Sequence, residues 1–175
     1  MKSTLLIICL LVLSLNVSAQ NLSSSKGSST MGIGMGLPYG GFGLKFNHHI
    51  LNYFSAFGGV GYNLVGIGVN GGLNFTVPTE KNAEFYFTGM YGYNAVMKFE
   101  NYSALNTTYY GASLGSGIKI NSQRHEGRYW DIGILAPLRN SRYKSDIKYF
   151  ESSIESKPWP VQLYFGYHFS LNSKN

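Results

Sequence analysis

Two polar pairs in this chain have spacings that catalysis or metal binding could use. His168 and Ser170 lie two residues apart, so on an extended strand they share a face. A histidine base beside a serine hydroxyl is the core of an acyl-transfer site, but a third group must orient the imidazole. Glu84 is only a loose candidate for that role, so the pair reads as polar strand residues. His48 and His49 are adjacent and would face opposite ways on a strand, so they cannot hold one metal together, and His125 lies in a distant turn. The stretch Gly66-Ile67-Gly68-Val69-Asn70-Gly71 approaches a dinucleotide-binding pattern, but no helix follows it. No catalytic residue, metal ligand or cofactor site is assigned, and the chain is not expected to be an enzyme.

The charges fall into two groups with more to say. Lys45, Glu84, Lys119 and Asp131 sit at the polar positions of otherwise apolar alternating segments. Buried together, they would satisfy one another as ion pairs, with an ion or proton path as the rival reading. Arg139, Arg142, Lys144 and Lys148 make a late segment basic, and Ile147, Phe150 and Ile154 within it follow i, i+3, i+7 spacing. With Ser145 as a cap, that segment is expected to form a short amphipathic helix. Its cations fit anionic phosphates, such as those of lipopolysaccharide, or a protein partner. They do not form a nucleic-acid stripe, although the net charge is +6.

The elements that position these residues are strands. From Thr30 onward, apolar side chains alternate with small polar ones at period two. In Val65 to Val77 the odd positions are Val, Ile, Val, Gly, Leu, Phe and Val, and the even ones Gly, Asn and Thr. The pattern recurs in about eight segments, near 30–37, 40–48, 53–63, 65–77, 84–98, 109–120, 128–136 and 160–171. Met31, Ile33, Met35 and Leu37 are read on the apolar face of the first, and Phe85, Phe87, Tyr91, Tyr93 and Met97 on that of the fifth.

Composition decides which face meets what. Charged residues are only 13% of the 175, while Gly reaches 22, Tyr 14 and Phe 11. A water-soluble barrel would carry charge on its outer face. Here the second face is Gly, Asn, Ser and Thr, which suits the narrow interior of an eight-stranded barrel. The apolar face is therefore expected to look outward at lipid, and closure follows because unpaired strand edges are not tolerated in hydrocarbon. Lys45, Glu84, Lys119 and Asp131 then point into the lumen, all in one half, with Lys119 and Asp131 approaching diagonally. Short turns near 49–52, 78–83 and 121–127 would face the periplasm, and the long connections 100–108 and 138–159 the outside. Connections near Pro38-Tyr39 and Asn63-Leu64 are short external ones. Tyr39, Phe46, Phe54, Tyr62, Phe75, Phe85, Tyr93, Tyr110, Trp130, Trp159 and Phe169 fall near strand ends, where an interfacial girdle would sit.

The N-terminus reads as an export signal. Lys2 is followed by an apolar run, Leu5 to Leu15, and by Val17-Ser18-Ala19, with cleavage expected after Ala19. Cys9, the one cysteine, leaves with it, so the mature chain has no disulfide. The division is signal peptide 1–19, flexible segment 20–29 and barrel 30–172.

The Gly-alternating strands, the Gly61-Tyr62-Asn63 and Gly92-Tyr93-Asn94 repeats and the last strand, Phe165-Gly166-Tyr167-His168-Phe169, resemble the outer-membrane β-barrel (porin-family, OmpA- or OmpX-like) proteins of Bacteroidetes. The resemblance implies folding by the barrel-assembly machinery through an aromatic-ended last strand, where Phe169 or Leu171 would serve. It implies no catalytic residues. The expectation is an all-β, closed, antiparallel up-and-down transmembrane barrel in a Gram-negative outer membrane, structural or interaction-mediating through its external loops. A small channel, a soluble lipid-binding barrel and a lipid A-modifying enzyme are the rivals.

Overall fold

The computed structural model describes residues 26–77, 82–97, 106–125, 127–149 and 159–171. The expected leader 1–19, with Cys9, and the helix positions Phe150 and Ile154 lie outside the described residues.

The strands are β1 (Ser29–Gly36), β2 (Gly41–His49), β3 (Phe54–Tyr62), β4 (Ile67–Thr76), β5 (Ala83–Met97), β6 (Thr107–Asn121), β7 (Tyr129–Pro137) and β8 (Gln162–Ser170). Each lies within two residues of its expected bounds. They pair antiparallel in chain order, and β1 pairs with β8, so the sheet closes into an eight-stranded barrel. One helix, α1 (Ser141–Tyr149), lies between β7 and β8, and a 3-10 turn, Leu37–Tyr39, joins β1 to β2.

The faces follow the alternation. Ile67, Val69 and Leu73 are 70%, 52% and 55% exposed, while Asn70, Asn74 and Thr76, at the even positions of the same strand, are buried. Outward aromatics meet across strands, as with Phe54 and Phe75 (ring centroids 5.0 Å apart) and Trp130 stacked on Phe165 (5.0 Å). Such cross-strand pairs stabilise a sheet from its face.

Inside lie two buried clusters. The first joins Leu37, Tyr39, Phe57, Tyr86, Met90, Leu135 and Tyr164. The second, nearer the end away from the termini, joins Ala95, Met97, Tyr109 and Tyr143, with Ile147 against it. The inward glycines supply the space for the first. A Cβ on Gly34 or Gly166 would meet the Tyr39 ring, and one on Gly117 or Gly133 would meet the Tyr164 hydroxyl. Small residues on one wall thus match large ones reaching across from another.

Three expected placements are corrected. Leu37 does not face outward, and Tyr39 is no girdle residue. Both are buried, because the chain turns into the lumen after Gly36 and the carbonyls of Pro38 and Tyr39 rest on Gly59, Gly61 and Gly43. Left-handed backbone at Gly40 (φ +71°) and Gly41 (φ +110°) brings the chain back into β2, a conformation that side chains disfavour. Met97 is likewise buried. Pairing of β5 with β6 slips between Tyr93 and Ala95, and one extra residue exchanges the faces beyond it. Tyr93 at this bulge is half-buried against the first cluster. The other expected girdle aromatics, Phe46, Phe54, Tyr62, Phe75, Phe85, Tyr110, Trp130, Trp159 and Phe169, are all exposed.

Candidate functional site

The inward charges converge on one carboxylate. Asp131 on β7 accepts from Lys45 Nζ at 2.8 Å, from the Tyr39 hydroxyl at 3.0 Å and from the Tyr86 hydroxyl. Lys45 stands on β2, so this ion pair crosses the lumen. Its ammonium is also ringed by the faces of Phe57 (4.7 Å), Tyr39 (5.5 Å), Tyr164 (5.8 Å) and Tyr86 (5.9 Å). Aromatic faces and a carboxylate together replace the hydration that a buried ammonium gives up.

Around this centre the polar atoms form a chain. The Tyr164 hydroxyl lies 2.7 Å from that of Tyr86 and donates to the Ser116 carbonyl at 3.3 Å. His168 is wholly buried, stacks on Tyr129 at 4.6 Å and places Nε2 2.9 Å from the Tyr39 hydroxyl. Its Nδ1 lies 3.3 Å from Thr30 Oγ1, which is 3.0 Å from the Tyr129 hydroxyl. One proton arrangement satisfies the chain that runs through His168. Tyr129 donates to Thr30, Thr30 to Nδ1, Nε2–H to Tyr39, and Tyr39 to Asp131.

The four expected lumen charges are all buried. Lys119 stands directly across from Asp131 on one side and from Glu84 on the other, rather than diagonally. Its ammonium donates to Thr76 Oγ1 at 3.4 Å and faces the rings of Tyr129 and Tyr86. Glu84 accepts from Asn121 Nδ2 at 2.8 Å. The ion partner of Asp131 is Lys45, three strands away through the β1–β8 junction. The tyrosines that complete the centre, Tyr86, Tyr129 and Tyr164, carry the inward parity of their strands, so the alternation itself marks them.

The His168 and Ser170 pair forms no nucleophile–base contact. Both imidazole nitrogens face Thr30 and Tyr39, and the carboxylate near the ring is Asp131, 3.6 Å from Nε2, not Glu84. His48 and His49 do face opposite ways. His48 is exposed beside Ser29 Oγ, and His49 is buried beside Ser28 Oγ. Among the described residues no cluster of three metal-ligating side chains occurs.

The second group of charges is on and beside α1. The helix starts earlier than its expected cap at Ser145. Asn140 caps it, its side-chain oxygen accepting from the Tyr143 amide at 2.9 Å. Tyr143 and Ile147, four residues apart, face the barrel, with Tyr143 edge-on to Tyr109 at 5.2 Å. Burial raises the Tyr143 phenol above its ordinary pKa, and Arg139 beside it offsets part of that. The basic residues take different roles. Arg139 lies on the Tyr143 ring and donates to the Trp159 carbonyl. Arg142 pairs loosely with Asp146 at 3.9 Å, and Asp146 accepts from the Tyr109 hydroxyl at 2.8 Å. Lys144 and Lys148 are exposed together, one helical turn apart.

No family model matches the chain, and no curated protein matches it. Two solved structures are similar. One, from the de novo design of transmembrane β-barrels, superposes with a TM-score of 0.52 at 10% identity, covering 86% of this chain and 100% of that one. The other is the crystal structure of the N-terminal β-barrel domain of Pseudomonas aeruginosa OprF. It has a TM-score of 0.48 at 12% identity, covering 82% of this chain and 98% of that one. The designed barrel establishes the fold class, a closed transmembrane-type β-barrel of eight antiparallel strands. Neither neighbour supports the Bacteroidetes part of the resemblance.

Proposed function

We propose that the chain is an integral outer-membrane β-barrel protein, exported by residues 1–19, that does no chemistry and acts by its presence and through its external helix. One observation carries this reading. A closed barrel exposes large apolar side chains on its outer face all round, while the strand charges Lys45, Glu84, Lys119 and Asp131 are buried inside. In water that arrangement would expose Phe42, Ile67, Phe87 and Leu163 at 60% or more for no gain. In hydrocarbon it is the stable one.

On this reading the lumen is closed to ions. Lys45, Tyr39, Tyr86 and Asp131 meet across its middle, with α1 over the far end. The exposed Lys144 and Lys148 are placed to meet phosphates of outer-leaflet lipopolysaccharide. Biogenesis through the barrel-assembly machinery goes with this placement.

The test has three parts. Carbonate washing of envelopes should leave the protein in the membrane, and its gel mobility should shift on heating. In planar bilayers the folded protein should give no conductance steps. Wash-off would return the soluble barrel, and steady current would return the channel.

A further inference from the structure

The barrel wall is uneven. β5 and β6 have 15 residues each, β1 has 8, and β2 and β3 have 9 each. At about 3.3 Å per residue the tall side exceeds the low side by roughly 20 Å of strand. The wall is low where the β1–β2 connection dives inward instead of extending the hairpin.

Above that turn lies a cavity of about 350 Å³, at the small end of the roughly 300–1,000 Å³ found for ligand pockets. Leu37 lies on its inner side, and Tyr93, Ala95 and Val96 of β5 line its tall side. Its low side is Met35, Phe42 and Tyr62. These three belong to the outward face, where they are 55%, 63% and 58% exposed. The cavity is therefore continuous, over the low rim, with the apolar outer surface. Among the described residues no Lys, Arg, Asp or Glu lines it, and the polar side chains there are the amides of Asn63, Asn94 and Gln162.

The rim has a second peculiarity. Leu64 adopts φ +73°, where a residue with a bulky side chain is strained. Asn63 holds the turn by accepting from the amides of Val65 (3.1 Å) and Gly66 (2.8 Å). The result is a leucine side chain 71% exposed at the lip of the cavity.

We propose that this cavity binds the acyl chain of a membrane lipid, which enters sideways over the low rim and leaves its headgroup near the three amides. The proposal rests on the membrane placement above. Continuity with the outward face gives an acyl chain a path that never crosses water, and an uncharged apolar lining matches the chain's chemistry.

The experiment uses the full mature chain in nanodiscs containing a phospholipid with a diazirine on one acyl chain. Adducts are mapped by mass spectrometry after illumination. Adducts on Leu37, Tyr93 or Val96, besides those on the belt residues Ile67, Leu73 and Phe87, are the expected result. Two variants, Val96→Trp and Gln162→Trp, fill the cavity from opposite walls. In each, labelling of Leu37 and Tyr93 should fall about five-fold or more, as when a small pocket loses room for its ligand, with belt labelling unchanged. Heat-shifted gel mobility confirms that each variant is folded. Labelling of the belt alone in the parent protein overturns the site and leaves the membrane placement standing. So does unchanged cavity labelling in both folded variants. Absence of belt labelling overturns the membrane placement itself.

Discussion

Residues 37–39 and α1 both fold back over the lumen, one joining β1 to β2 and the other lying between β7 and β8, yet they are built differently. The first is three residues, all buried, seated on glycines and pinned by the Tyr39 hydroxyl to Asp131. The second is a nine-residue helix that sends in Tyr143 and Ile147 and leaves Lys144, Lys148 and Tyr149 outside. An insertion tied to the central ion pair cannot leave without breaking the barrel interior. A helix held by Tyr143, Ile147, a cap and the Tyr109–Asp146 hydrogen bond, with no tie to the central ion pair, can open locally while the strands stay paired. The first therefore belongs to stability, and the second is free to carry surface function.

Cutting the anchor of the first closure should have the largest effect. Asp131→Leu leaves the Lys45 ammonium buried without its carboxylate and should cost about 3–5 kcal/mol in urea unfolding from lipid vesicles. The double variant Lys45→Met/Asp131→Leu should recover most of that loss. A single variant as stable as the parent would show that the pair anchors nothing. Gly59→Ala comes next, because its methyl would occupy the place of the Pro38 carbonyl and push the turn out of its seat. A cost of up to about 3 kcal/mol is expected from such overpacking, and conductance steps should appear in bilayers if the turn is what blocks the lumen. Tyr39→Phe keeps the ring and removes the hydroxyl that meets Asp131 and His168, for about 1–2 kcal/mol.

The helix should answer differently. Tyr143→Ala should move the barrel's unfolding free energy by no more than about 0.5 kcal/mol if α1 opens on its own, while trypsin newly cuts at Lys144 and Lys148. A large loss of barrel stability would merge the two closures into one unit. Lys144→Gln with Lys148→Gln should be smallest, changing stability by less than about 0.5 kcal/mol. Its effect should be confined to weaker, less salt-sensitive binding of lipopolysaccharide.

Strand number, order and facing were legible because period-two alternation is strong wherever one side is apolar and the other is Gly or Asn. Inward Lys45, Glu84, Lys119 and Asp131 followed from the same parity. The partner of Asp131 did not. Alternation says which face a residue takes, not which residue across a closed lumen it reaches, and Lys45 is distant from Asp131 along the chain. The inward tyrosines were also carried by parity, since Tyr86, Tyr129 and Tyr164 share the face of Thr88, Asp131 and Gly166. Parity gives their direction but not their reach, and the small inward residues beside them leave room for rings that periodicity does not place. Leu37 and Tyr39 could not be placed by periodicity, because a turn that dives inward breaks the period. Met97 failed for a related reason, one inserted residue at the bulge.

The ion pair between β2 and β7 spans the seam where the first and last strands meet. So do the contacts of His168 with Thr30 and Tyr39. While the sheet is still open, Lys45 and Asp131 stand on separate flaps and keep their water. Neither can enter hydrocarbon cheaply until the flaps come together. On the membrane placement proposed above, this couples insertion to closure, since a ribbon that has not zipped its ends would have no low-energy place in the bilayer.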